Sequence, residues 1–203
     1  AIIHKTARDL RVPPNWVDYQ AQRRDFSWDG ARAALSGLPG GGLNIAFEAV
    51  DRPAAGPWPG HTALRFVSRG TPPHELSYGE LARQTDHFAQ VLVGLGVDKG
   101  ARLFVLAGRI PELYIAVLGA LKLGVVVTPL FSAFGPEPIA TRIRLGAGEV
   151  LVTTDELYAR KVRGLRGQMP SLRHVLLVAE DGGPTHEPDT LDPAIREQVG
   201  SGV

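Results

Sequence analysis

The chain has 203 residues, 44% of them hydrophobic, which is enough to bury a substantial core in one large domain or one domain with an extension. Its 22 basic and 21 acidic residues leave a formal charge of +1, which argues against an electrostatic nucleic-acid binder and against an acidic solvating tail. There is no cysteine, so disulfides, zinc–thiolate sites and a cysteine nucleophile are excluded.

Residues 1–42 read as an irregular arm draped over a domain and anchored by its aromatic residues, Trp16, Tyr19, Phe26 and Trp28. The start, "AIIHKTARDLRV", has no long apolar core, so no signal peptide is expected and a cytoplasmic location fits. "LPGGG" (38–42) reads as a hinge or tight turn. A phosphate cradle would need a following helix with Lys and Ser/Thr. "LNIAFEAVDR" (43–52) has helical spacing, with Ile45, Ala46, Ala49 and Val50 toward one side. "ALRFVS" (63–68) is a short strand, and "RGTPPHE" a turn before a second strand or a helix start at Leu76.

From there the punctuation is clear. Ser77 and Glu80 have capping-box spacing, Leu81, Phe88, Leu92 and Leu95 share a helical face, and Gly96 supplies a left-handed stop. "RLFVLAG" (102–108) is a strand. Pro111 opens a helix running to Leu123 that is apolar nearly all round and therefore expected to be buried. "VVVTPLF" (125–131) is the next strand, and Pro136 opens a helix to about Leu145. "EVLVTT" (149–154) is a strand, Thr153 and Glu156 suggest a second capping box, and a helix runs on to about Met169. "RHVLLVAE" (173–180) is the last strand, before a polar, loop-like end.

Continuous apolar strands alternating with helices predict an α/β fold: a doubly wound, mostly parallel sheet with helices on both faces, preceded by an irregular amino-terminal arm. The expected buried strands are 103–106, 125–128, 151–153 and 175–178. The expected organisation is an arm over 1–42, an α/β unit over 43–181 and a polar tail over 182–203. The longest apolar run, 113–130, is interrupted by Gly119, Lys122, Gly124, Thr128 and Pro129, so it reads as a buried helix and strand and not as a membrane span.

Familiar catalytic signals are missing. There is no Walker loop and no GxSxG elbow, and the spacing of "GLGVDKG" (94–100) is wrong for a dinucleotide fingerprint. The six histidines have no metal-ligand spacing, and Asp155 and Glu156 are explained by a helix first turn. Two features survive. Phe131, Ser132, Ala133 and Phe134 leave the carboxyl end of a parallel strand, where ligands bind in such sheets, and Phe131 offers a flat face for a base. The plainer reading is an ordinary crossover with both phenylalanines in the core. Arg160, Lys161, Arg163 and Arg166 form a basic segment able to clamp phosphates, or simply a solvated helix face. The helix carrying them follows the strand expected to neighbour the Phe131 strand. The two features would then share one sheet edge and suit a phosphorylated, base-bearing ligand.

These segments together carry a resemblance. "LNIAFEAVDR", "LSYGELARQTDHFAQVLVGLGVDKGARLFVLAGRIPELYIAVLGALKLGVVVTPLFSAFGPEPIATRI" and "EVLVTTDELYARKV" resemble, in order and spacing, the amino-terminal part of acetyl-CoA synthetases (acetate–CoA ligases) of the adenylate-forming acyl-CoA synthetase superfamily. The resemblance runs from about residue 16 to residue 180. It implies an enzyme that activates acetate with ATP (as its Mg complex) to acetyl-AMP and transfers the acetyl group to coenzyme A (CoA). It implies that Phe131, Ser132 and Ala133, with Arg160 and Lys161, lie against the nucleotide end of CoA. The family's paired arginines, with two residues between them, are matched loosely here by Arg160, Lys161 and Arg163, and its loop glycines are replaced by Ser132 and Ala133. The family's Ser/Thr/Gly-rich phosphate loop, its ribose-binding acidic residue and its catalytic lysine have no counterpart in the sequence. The resemblance therefore implies a fragment that is inactive alone, binds no cofactor tightly, and has no nucleic-acid or membrane partner. Two other readings stay open: a non-catalytic binding or scaffold module with a synthetase-like layer, and a fragment of a short- or medium-chain acyl-CoA synthetase.

Overall fold

Four parallel strands in the order β4-β3-β5-β6 organise the chain: β3 (Arg102–Leu106), β4 (Val126–Pro129), β5 (Val150–Thr154) and β6 (His174–Val178). The coordinates are a computed structural model and describe residue 6, residues 9–12, 17–68, 70 and 72–178. The chain divides into two compact units, Ala1–Ser36 and Gly37–Val203.

Within the first unit, the stretch expected to be irregular holds two short helices, α1 (Tyr19–Asp25) and α2 (Trp28–Ala33). Each has a side-chain cap: Asp18 accepts from the Ala21 amide and Ser27 from the Gly30 amide. Such caps satisfy amides that the first turn leaves unpaired, and that stabilisation is what the pattern of scattered aromatics hid. Of the residues expected as anchors, Tyr19, Phe26 and Trp28 are exposed, and Phe26 and Trp28 pack edge to face at 5.2 Å. Trp16 lies outside the described residues.

The second unit starts with a glycine turn. Gly40, Gly41 and Gly42 all have φ near +90° to +100°, and the Leu38 amide donates to the Gly42 carbonyl. Asn44 then caps the next helix, its Oδ1 accepting from the Ala46 and Phe47 amides while its Nδ2 donates to the Leu121 carbonyl at 2.7 Å. This helix contains one wide turn, Phe47–Asp51, before α3 (Arg52–Ala55). Pro53 explains the widening: proline has no amide to donate and its ring crowds the carbonyl four residues back. Ala46 and Val50 are buried as expected, whereas Ile45 and Ala49 are exposed. Strands β1 (Thr62–Phe66) and β2 (His74–Ser77) pair antiparallel in a separate two-stranded sheet.

The Ser77–Glu80 capping box is present in both directions and starts α4 (Tyr78–Gly94); Gly96 ends the turn beyond it at φ +69°. Helix α5 (Pro111–Leu123) has the expected bounds, but its apolar surface is only half-buried. Ala116, Gly119 and Ala120 are buried and Tyr114 is exposed. Helix α6 (Pro136–Leu145) follows β4. Helix α7 (Asp155–Lys161) is shorter than the sequence suggested, because the chain tightens into a single 3-10 segment, Arg163–Gln168. Its cap is Thr154, which accepts from the Leu157 amide. Thr153 remains in β5 and donates its hydroxyl to the Leu106 carbonyl at 2.7 Å, so the capping box expected at Thr153 and Glu156 does not form. Residues 179 and 180, expected to extend β6, lie outside the described residues, as does the polar stretch after them.

The strand order follows from crossover handedness. The path β3–α5–β4 moves one way across the sheet, and the path β4–α6–β5 returns over β3 to its other side. Right-handed crossovers in opposite directions must use opposite faces. Accordingly Phe104, Leu106, Leu151, Val175 and Leu177 face α6 and α7 in one core. Leu103, Val105, Val150, Val152 and Leu176 face α4 and α5 in the other. This order corrects two expectations. Strand β4 neighbours β3 and not β5, and it lies at the edge, with Val126 52% exposed where a buried strand was expected.

Lys122, on α5, ties this layer to the preceding helices. Its ammonium is 2.5 Å from Asp51 and 2.6 Å from Asp86, and its side chain is only 10% exposed. Lys122→Met keeps the packed stem but leaves two carboxylates facing each other. It is expected to lower stability by about 1–2 kcal/mol, a modest figure because both aspartates can turn toward water. Urea denaturation of the variant checks this, and no change would show that the cluster contributes nothing net.

Candidate functional site

The segment from Phe131 to Phe134 leaves β4 and closes as a four-residue turn, with the Phe134 amide donating to the Phe131 carbonyl at 3.0 Å. Ser132 and Ala133 occupy its centre, and neither has a positive φ, so side chains are carried there without backbone strain. The two rings separate in role. Phe134 packs against the α6/α7 core, while Phe131 is 65% exposed, its ring perpendicular to that of Phe134 at 5.6 Å. The expectation of two core phenylalanines thus holds for one of them.

Helix α6 adds a residue not picked from the sequence. Long helical side chains run back toward the amino terminus. Arg142 does so, placing its guanidinium 4.2 Å from the centre of the Phe134 ring and donating to the Pro138 carbonyl at 2.9 Å. The signal was available: an arginine six positions after the helix-opening Pro136 lies within reach of the preceding loop.

The basic segment meets the turn through one residue. The Lys161 ammonium donates to the Ser132 carbonyl and, at 2.9 Å, to the Phe134 carbonyl. The juxtaposition expected from the sequence is therefore present for Lys161, although its reasoning through adjacent strands is not. Helix α6 crosses over β3 and lands beside α7 on the same face, which brings the two segments together from non-neighbouring strands. Arg160 points elsewhere, pairing with Glu156 at 2.5 Å on the exposed side of α7. Exposed pairs of this kind contribute little, so Arg160 can exchange Glu156 for another anion at small cost. Arg163 lies with its guanidinium 6.0 Å from the Tyr158 ring. Arg166 donates to the Leu172 carbonyl, bracing the turn before β6.

The site thus offers an exposed aromatic face, a turn of small residues and cations at the carboxyl edge of a parallel sheet. This suits a ligand with a planar base and phosphates. Among the described residues no group of three or more His, Asp or Glu is placed to hold a metal ion, and no helix is long and apolar enough to cross a membrane.

Comparison with known proteins bears on the family and the fold. Residues 52–199 match the AMP-binding enzyme family. The acetyl-coenzyme A synthetase of Bacillus subtilis (strain 168) is 34% identical over 172 residues, covering 83% of this chain and 29% of that protein. That of Methanothrix soehngenii is 34% identical over 158 residues, covering 77% of this chain and 22% of that protein. The crystal structure of Brucella canis acyl-CoA synthetase superposes with a TM-score of 0.71 at 27% identity, covering 89% of this chain and 31% of that one. Acetoacetyl-CoA synthetase from Streptomyces lividans gives 0.62 at 28% identity, covering 76% and 25%. The chain therefore spans less than a third of the length of these relatives. With the match extending over most of its residues and the fold superposing on a solved synthetase, the chain belongs to the AMP-binding enzyme family.

Proposed function

We propose that this chain is the amino-terminal part of an acetyl-CoA synthetase and supplies a wall of its CoA site. In the parent reaction an acetate oxygen attacks the α-phosphorus of ATP and pyrophosphate leaves. The CoA thiol then attacks the acyl carbon of acetyl-AMP, and AMP leaves. Phe131, Ser132 and Ala133, with Arg160 and Lys161, lie against the nucleotide end of CoA. The observation that supports this most directly is the pair of Lys161 bonds into the turn, which draws the basic segment to the aromatic loop. The identity to acetyl-coenzyme A synthetases favours acetate as the acid. The superposition on an acetoacetyl-CoA synthetase keeps another short-chain acid as the second reading. Cytoplasmic location accompanies either.

The chain alone lacks the phosphate loop and lysine that would neutralise charge developing on ATP, so no pyrophosphate release from ATP and acetate is expected from it. Turnover that survives repurification would overturn the fragment reading. In the whole enzyme, Arg160→Ala should raise the CoA requirement roughly tenfold, the low end for a charge-assisted contact on an exposed side chain. Adenylate formation, followed by ATP–pyrophosphate exchange, should be nearly unchanged. Equal losses in both half-reactions would assign Arg160 to the fold alone.

A further inference from the structure

Resting on that reading of the wall, we infer that Lys161 is a positioning residue: its ammonium fixes the turn so that the Ala133 amide, and not the lysine charge, meets the ligand. The turn is closed by the Phe134 amide and the Phe131 carbonyl, a bond that leaves the central Ser132–Ala133 peptide without a partner of its own inside the turn. That peptide is the part of a four-residue turn free to flip. Lys161 donates to its carbonyl, on Ser132, and also to the carbonyl of Phe134. No described residue has a cis peptide, and in a trans peptide the N–H points opposite to the C=O. Holding the Ser132 carbonyl toward Lys161 therefore turns the Ala133 N–H away from it. Ala133 is exposed, and among the described residues its amide has no protein acceptor. An acceptor oxygen of a nucleotide can occupy that position, next to the exposed Phe131 face.

The competing role for Lys161 is direct contact with a phosphate. An ammonium has three N–H donors, and two are already committed to backbone carbonyls. The two roles differ in what they predict. A contact cation loses its effect as salt screens it, whereas a peptide orientation set by short hydrogen bonds does not.

The test compares Lys161→Met with the parent sequence by hydrogen–deuterium exchange of the chain and by CoA titration of the whole enzyme at low and high NaCl. Removing the anchor should speed exchange across residues 131–135 by about tenfold or more, with Val150–Thr154 as protected as before. CoA affinity should fall by about tenfold, and by the same factor at both salt concentrations. Lys161→Arg, whose fork of donors can span both carbonyls, should restore slow exchange. Unchanged exchange at 131–135 overturns the inference. So does lost protection at Val150–Thr154, which would make Lys161 a general stabiliser, and so does an affinity loss that vanishes at high salt. If CoA gives the whole enzyme no protection from exchange at residues 131–135, the reading of the wall fails, and the exchange comparison without CoA still decides whether Lys161 fixes the turn.

Discussion

Phe104→Ala should lower the stability of the chain by about 3–5 kcal/mol, the range for removing a buried aromatic side chain from a core that cannot collapse around the space. Phe104 is 3% exposed on the central strand β3 and belongs to the core under α6 and α7. Its seat is made of glycine. A Cβ on Gly148 would lie 2.6 Å from the Phe104 Cδ2, and one on Gly146 would lie 2.7 Å from its Cζ. The connection after α6 therefore approaches the ring as closely as backbone allows, and those glycines have no side chain to refill a void. The reverse change carries the same information. Gly148→Ala should cost about 1–3 kcal/mol through overpacking. Combined with Phe104→Leu, which draws the side chain away from that contact, it should cost less than the two single losses added together. Urea denaturation with an unchanged slope measures all three. Additive losses would show that the ring and Gly148 do not compete for the same space.

What was legible in the sequence was local chemistry. Ser77 with Glu80, Pro111, Pro136 and Gly96 each act at the backbone positions their chemistry dictates, and they bound α4, α5 and α6 where expected. The misses come where two local rules compete. Thr153 and Thr154 both have a hydroxyl suited to a cap; Thr153 is paired on both sides, with Leu106 and Leu177, whereas Thr154 pairs with Val178 on one side and takes the cap. The helix after β5 stops at Lys161, where Gly164 and Gly167 permit a tighter turn. Asp18 and Ser27 show that two caps can make short helices of a stretch whose apolar pattern is uninformative.

Sheet order was harder to see, since nothing in a strand's own residues names its neighbour. One signal was present. Pro129 lacks an amide for a second ladder, so a strand that ends in it belongs at an edge. Among the described residues it pairs with Val105 alone, on the one side where β4 has a partner. The candidate site inherits this difficulty. Phe131, Ser132 and Ala133 were picked by their place after a strand and Lys161 by its charge. The contact between them depends on α6 crossing β3, which is a property of the topology. Arg142 was missed because it follows the loop by a helical reach and not by sequence adjacency.

Gly119→Val should destabilise the chain by about 3 kcal/mol, at the upper end of overpacking losses. Two effects oppose each other. Glycine inside a helix is unfavourable, and replacing it with valine recovers a few tenths of a kcal/mol of helix propensity. Against this stands the crossing of α4 and α5. A Cβ on Gly119 would lie 2.7 Å from the Thr85 carbonyl oxygen and 3.0 Å from the Phe88 Cδ1. The phenyl ring can shift, but the carbonyl is a main-chain atom within α4 and moves only with its helix. The Thr85 hydroxyl already folds back onto the Leu81 and Ala82 carbonyls, which keeps it out of the crossing. Separation of the two helices would also open the core beneath them, where Leu92, Ala116 and Ala120 meet β3 and β5. Clash therefore outweighs propensity. Gly94, the last residue of α4, provides the opposite case: it is exposed and nothing lies within 4 Å of its added Cβ. There Gly94→Ala should stabilise by about 0.5–1 kcal/mol, since only the backbone-entropy cost of glycine is removed. Urea midpoints shifting in opposite directions for the two variants would support the close crossing, and a neutral Gly119→Val would show that α4 and α5 stand further apart.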